Sequence, residues 1–314
     1  MPYIEALRQE EGNVKVVDDN DGNPVLYSPG DYNIAVPGHR DFEYREKVLD
    51  EAGVDMQVLT LTSPGTISSP PELSAHYSRI VNDSFAEIVS EKPDRFSALG
   101  TLPLNDPEAS VAELERLMVE LGLKGVALFS NVNGVALSDK SYWPLYEKAE
   151  ELGAVFFIHP IHPVGVEAMT DYWLMPLIGF TFDTTLAAAK LVFSGVADRF
   201  PSIKWILAHL GGAIPYLAER LDRGFHSYEG CRVNIDKPPS AYLKEFYYDT
   251  VNFDVNALQF AIDFAGANHL LAGSDYPHQI GSLQKMSESI GQLSISDEQK
   301  AGILGGNIAG LLDL

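Results

Sequence analysis

The sequence predicts an α/β barrel, a parallel sheet closed on itself and ringed by helices. Two observations carry this expectation. From Arg45 onward, short runs of apolar and β-branched residues alternate with helical segments of ten or so residues and more. Such alternation requires parallel strands joined by crossover helices. Three of the runs also end on an ionisable residue, in FFIHP (156–160), ILAHLGG (206–212) and AGSDYPH (272–278). The carboxyl ends of barrel strands open on one face, and chemistry is placed there. No stretch from residue 45 to residue 314 has the composition of a linker, and a single barrel takes ~250 residues. One domain over 1–314 is therefore expected, with 1–44 as an irregular segment covering the barrel.

The opening residues contain Gly12-Asn13, Asp18-Asp19-Asn20-Asp21-Gly22 and Ser28-Pro29-Gly30-Asp31. These clusters of turn formers predict a loop or a small hairpin. Arg45 to Ala52 reads as a helix stopped by Gly53, and VDMQVLTLT (54–62) as a buried strand. Pro70-Pro71 opens a helix running to about Pro93, and RFSALGTLP (95–103) follows as a strand. Asp106-Pro107 begins a helix to Leu121, because proline suits the first helical turn. Strands at 125–131, 154–160, 204–210, 246–251 and 270–275 then alternate with helices at 142–152, 180–200, 214–225 and 255–265. This makes seven strands, whereas a closed barrel of this kind has eight.

Charge narrows the partners. Lys and Arg total 22 against 44 Asp and Glu, a net charge of −22. Such a surface repels phosphate backbones and anionic lipid, so neither nucleic acid nor membrane is expected as a partner. The start, MPYIEALR, lacks the basic and apolar regions of a secretory signal. No uncharged apolar run reaches the ~18 residues of a membrane span. The single cysteine, Cys231, excludes an intramolecular disulfide and a cysteine-built metal cluster, and it fits a reducing, cytoplasmic compartment.

His159, His209 and Asp275 offer imidazole nitrogen and carboxylate oxygen, donors suited to zinc or a similar divalent ion. One histidine after an apolar run is more often structural than functional. Three ionisable residues at three strand ends point to a shared site. Gly211-Gly212, directly after His209, makes a tight strand-to-helix turn and also lets backbone approach a ligand closely. His162 and His278 are candidates to line the pocket, while His39, His76, His226 and His269 read as surface or helix residues. Nucleophile-elbow, Walker-type and dinucleotide-binding glycine motifs are all missing from the sequence.

At these residues the sequence resembles the amidohydrolase superfamily, and within it the aminocarboxymuconate-semialdehyde decarboxylase-like group, amidohydrolase family 2. The likeness rests on RxxxLDEAGVDMQVL (45–59), FFIHP (156–160), SGVADRFPSIKWILAHLGG (194–212), PYLAERLDR (215–223) and LLAGSDYPH (270–278). It implies a (β/α)8 TIM barrel holding one divalent metal, zinc or in some members manganese. By the same likeness, His159 and Asp275 are metal ligands and His209 is the acid/base beside the metal. Arg220 matches an arginine that binds a substrate carboxylate, often across a homodimer interface.

The family's first strand normally carries an HxH pair, and no HxH occurs in these 314 residues. The first strand is therefore expected to be missing from this chain, and metal binding to be weak or absent. The resemblance implies a metal-dependent, non-oxidative decarboxylase, a carbon–carbon lyase acting on an unsaturated or aromatic carboxylic acid. The alternatives are a metal-dependent hydrolase of the amidohydrolase type and a metal-free inactive relative that only binds ligand.

Overall fold

The computed structural model describes residues 2–10, 12–28 and 31–314. The Pro29-Gly30 part of the expected turn lies outside the described residues.

The chain forms two compact units, the first comprising the chain up to Leu128, Trp143–Ala154 and Tyr276–Gln279. It opens with α1 (Pro2–Gln9), followed by β1 (Lys15–Asp18), β2 (Pro24–Ser28) and β3 (Asp31–Ile34) in an antiparallel sheet of that order. The irregular segment expected at 1–44 is thus corrected to a helix and a three-stranded sheet. The acidic run does turn the chain between β1 and β2, with Asp19 Oδ1 accepting the amides of Asp21 and Asn23 at 2.9 and 2.8 Å. The flanking segments order because they bury apolar side chains, among them Tyr3, Ile4 and Leu7 of α1 and Val25 and Leu26 of β2.

Two short helices follow, α2 (Pro37–Arg40) and α3 (Phe42–Glu51), and the Asp41 side chain caps α3 by accepting the Tyr44 amide. β4 (Gln57–Leu59) pairs in parallel with β5 (Phe96–Ala98) across the long crossover helix α4 (Pro71–Glu91). Asp106 caps α5 (Pro107–Val119) through the Ala109 amide at 3.0 Å. A parallel bridge from Gly100 reaches Val126 in β6 (Gly125–Phe129), and α6 (Trp143–Leu152) packs on α5. His39, on α2, is enclosed: neither ring nitrogen has a hydrogen-bond partner among the described residues. Its ring meets that of His278 edge-on at 5.1 Å, and His278 Nε2 lies 3.1 Å from Thr62 Oγ1.

The second unit comprises Phe129–Tyr142, Val155–Asp275 and Ile280–Leu314. It contains the hairpin of β7 (Asn131–Val132) and β8 (Val135–Ala136). Its parallel sheet runs β9 (Val155–His159), β10 (Lys204–Leu207), β11 (Tyr247–Asp249) and β12 (Leu270–Leu271) in that spatial order. The register sets Phe156 beside Trp205, Ile206 beside Tyr247 and Tyr248 beside Leu270. The helices that return the chain are α7 (Phe180–Phe193), α8 (Val196–Arg199), α9 (Ile214–Ser227), α10 (Pro239–Leu243) and α11 (Val255–Ala265). They are followed by α12 (Leu283–Gly291), α13 (Asp297–Ala301) and α14 (Asn307–Leu312).

All seven expected parallel strands form, each shorter than its apolar run. The run at 270–275, for example, is strand only over Leu270–Leu271. Ala272 then donates to the Ile303 carbonyl at 2.9 Å, a carbonyl of the π-helix Gly302–Gly306. Asn307 Nδ2 reaches the carbonyls of Ala267 and Leu270 at 2.9 and 2.8 Å. The helix expected at 180–200 breaks between α7 and α8 at Gly195, whose φ is +85°. The helical stretch Met175–Phe193, 19 residues, is long and apolar enough by length and composition to cross a membrane, but it carries Asp183 and Lys190 and is not an uncharged run. One face of it is buried, through Thr184, Ala187, Ala188, Leu191 and Val192 and a carboxylate, Asp183, while Leu177, Phe182 and Leu186 are exposed.

Candidate active site

His159 is the last residue of β9, so the strand itself aims it. Its Nδ1 lies 2.7 Å from the Pro160 carbonyl. A carbonyl can only accept, so Nδ1 carries the proton and the imidazole lone pair stays on Nε2. His209 stands two residues beyond β10, in a 3-10 turn over His209–Gly211. From His209 through Gly212 the backbone is left-handed, with φ of +54°, +58°, +72° and +61°. For the two non-glycine residues this conformation costs ~1–2 kcal/mol each. Packing and hydrogen bonding hold it in place. Leu210 donates to Asp249 Oδ1 at 3.0 Å. A Cβ at Gly212 would sit 2.0 Å from the Thr181 carbonyl, and one at Gly211 2.5 Å from the Tyr248 ring. Only glycine fits this turn.

Asp275 lies four residues past β12 and is itself left-handed, with φ +54°. Gly281 crosses so close that a Cβ there would be 2.2 Å from the Asp275 carbonyl, and Ser282 donates to the Ser274 carbonyl at 2.7 Å.

These placements bring one donor atom each of His159, His209 and Asp275 within 4.8 Å of one another. The two imidazole rings meet at 5.2 Å and 65°, with the Phe180 ring 6.1 Å from that of His159. Burial pushes the His209 pKa down, partly offset by the Asp249 charge, which favours the neutral imidazole. Burial and then the Asp249 charge push Asp275 up to about 7. Burial also raises Asp249. The donor set fits a divalent cation: Nε2 of His159 bears a lone pair, and Nδ1 of His209 is buried with no hydrogen-bond partner among the described residues.

Arg220 is on the exposed face of α9, and among the described residues no hydrogen bond or ion pair ties it to the cluster. His162 contributes its backbone carbonyl, which accepts from Asn131 Nδ2 at 3.0 Å. Asp249 is the site residue that sequence reasoning missed. It ends β11, in the same apolar-run-then-ionisable pattern as His159, but the expected strand extended past it to 251.

Comparison with known proteins places these features in context. The amidohydrolase family matches residues 26–314. A 2-amino-3-carboxymuconate-6-semialdehyde decarboxylase of Dictyostelium discoideum is 38% identical over 279 residues, 87% of this chain and 77% of that protein. The crystal structure of 5-carboxyvanillate decarboxylase from Sphingomonas paucimobilis has a TM-score of 0.81 at 31% identity, covering 86% of this chain and 82% of its own. A dihydroxybenzoic acid decarboxylase from Polaromonas, solved with manganese and the inhibitor 2-nitroresorcinol, has a TM-score of 0.80 at 28% identity, covering 88% and 86%.

Proposed function

Because the chain belongs to the amidohydrolase family, we propose that it is a metal-dependent, non-oxidative decarboxylase of an aromatic or unsaturated carboxylic acid. The observation that carries this reading is the convergence of His159, His209 and Asp275 within 4.8 Å, in a chain whose relatives bear decarboxylase names.

His159, through Nε2, and Asp275 would hold the metal. When bound, a divalent ion supplies Lewis acidity and a template for a carboxylate and its neighbouring oxygen. The His209 imidazole takes up a proton from solvent, passes it as imidazolium to a ring or diene carbon of the substrate, and returns to its neutral form. Once that carbon has gained its new C–H bond, the carbon–carboxylate bond breaks, CO2 leaves, and the bonding pair restores the π-system.

Zinc suits an imidazole and a carboxylate, and the Polaromonas relative was solved with manganese. We further read the protein as a cytoplasmic homodimer. Leu177, Phe182 and Leu186 are exposed along α7 and the turn before it, and Tyr216 is exposed on α9. Exposed apolar clusters of this kind mark interaction surfaces.

The reading is tested by measuring CO2 release from a panel of hydroxylated aromatic acids with added Mn2+ or Zn2+. His209→Gln is expected to slow release at least a hundredfold. Hydrolysis of amide or ester substrates without CO2 release would favour the hydrolase alternative.

A further inference from the structure

We propose that Asp183 is a positioning residue that sets the tautomer and orientation of His159 through a clasp formed by Ser130 and Asn131. The proposal rests on the reading of His159 as a metal ligand only for its effect on metal affinity. The link itself is backbone and side-chain geometry within the second unit.

Asp183 lies in the first turn of α7 and is 6% exposed. Its described hydrogen-bond partners are two neutral donors, the Ser130 hydroxyl and Asn131 Nδ2, the latter at 3.0 Å, both on Oδ2. A buried carboxylate without a paired cation is costly, and an apolar side chain would fill the inner face of α7 without that cost. What the carboxylate holds explains its presence. The Ser130 amide donates to the His159 carbonyl at 2.9 Å, and its hydroxyl oxygen accepts from the Ile161 amide at 3.2 Å. Asn131 Nδ2 donates to the His162 carbonyl at 3.0 Å.

The backbone on both sides of Pro160 is therefore tied to two adjacent residues, and both of these are tied to one carboxylate oxygen. The acceptor for the ring proton of His159 is the Pro160 carbonyl, inside the clasped segment. If that carbonyl swings away, Nδ1 loses its acceptor, and the lone pair is no longer confined to Nε2. Asp183 touches no reacting atom and acts only through the clasp.

The test uses the full chain with 15N-labelled histidine and long-range 1H–15N correlation of the imidazoles, without metal. In the unmodified protein His159 is expected as the Nδ1–H tautomer. Asp183→Ala is expected to give a mixed or exchanging His159, and Asp183→Asn, which keeps an acceptor oxygen, to restore the single tautomer. His269 serves as the internal control, because its Nδ1 lies 3.0 Å from the Phe246 carbonyl, outside the clasp. A merely structural role would disturb both histidines together.

Zn2+ titration by calorimetry is expected to weaken about tenfold or more in Asp183→Ala. If the tautomer shifts while the unmodified chain binds no Zn2+, the positioning role stands and the ligand reading fails. A folded Asp183→Ala protein with an unchanged His159 tautomer overturns the proposal. Should that variant not fold, Ser130→Ala breaks the same clasp, and an unchanged His159 there overturns it equally.

Discussion

Asp249 Oδ1 accepts both the Leu210 amide and the Val251 amide at 3.0 Å. One buried carboxylate therefore pins the left-handed turn that presents His209 and fastens the end of its own strand.

Replacing Asp249 with Ala should strand two buried amides, at ~1–3 kcal/mol each, and lower the denaturation midpoint markedly. Asn retains the acceptor oxygen and should be far milder. Asn also removes a negative charge that helps raise Asp275, so the Asp275 pKa should fall from about 7. Carboxyl 13C titration of the metal-free protein checks this. An unchanged value would mean that Asp249 is already protonated in the native state.

Gly212→Ala should destabilise the protein by at least ~2 kcal/mol and abolish activity, because its Cβ would lie 2.0 Å from the Thr181 carbonyl. Gly22 also has a positive φ, +78°, but a Cβ there would meet nothing within 4 Å. Urea denaturation of the two alanine variants separates strain from collision, and equal losses would refute the packing account.

His39 governs part of the acid sensitivity. Burial, and then the neighbouring His278 and Arg45, depress its pKa from 6.5 to about 3. Below pH 6.5 the unfolded chain gains a proton that the folded protein refuses, so stability declines from 6.5 toward 3 and is unaffected above. At pH 5 the loss is about 2 kcal/mol. His39→Phe should lose correspondingly less between pH 7 and pH 5 in matched urea melts. Parallel pH curves for the two proteins would discount His39.

Of the three donors of His159, Asp275 and His209, His209 is reserved for proton transfer, and zinc prefers four ligands. Zinc is expected to be held weakly by this chain. After dialysis, elemental analysis should find well under one equivalent, and His159→Ala should remove the remainder. One tightly held equivalent would reveal a donor beyond these three.

Arg220→Ala should raise KM for the carboxylic acid substrate by about tenfold, since a bidentate carboxylate partner would be lost, and leave the melting temperature nearly unchanged because the residue is exposed. An unaltered KM removes Arg220 from substrate binding.

The parallel strands were legible because strands buried on both faces read as unbroken apolar runs. His159 was legible because its run stops on it. His209 and Asp275 were placed at strand ends, but their left-handed backbone was not foreseen. A positive φ at a histidine or aspartate has no signature of its own, and only the following Gly211-Gly212 hinted at it. In residues 1–44 the turn formers marked the β1–β2 hairpin, whereas α1 and the third strand β3 carry no turn signal and were not expected. The enclosure of His39 depended on His278, more than two hundred positions away, a relation no local pattern carries.

The tether between Ala272 and Ile303, reinforced by Asn307 on Leu270, sets an order of events during synthesis. Translation delivers Asp275 before the residues that fasten the strand leading to it. A nascent chain can complete β9 and β10, and with them His159 and His209, while the third member of the cluster still lacks its anchor. A chain cut before Gly302 would lack both the Ile303 carbonyl and Asn307, and the segment leading to Asp275 would lose these two fastenings.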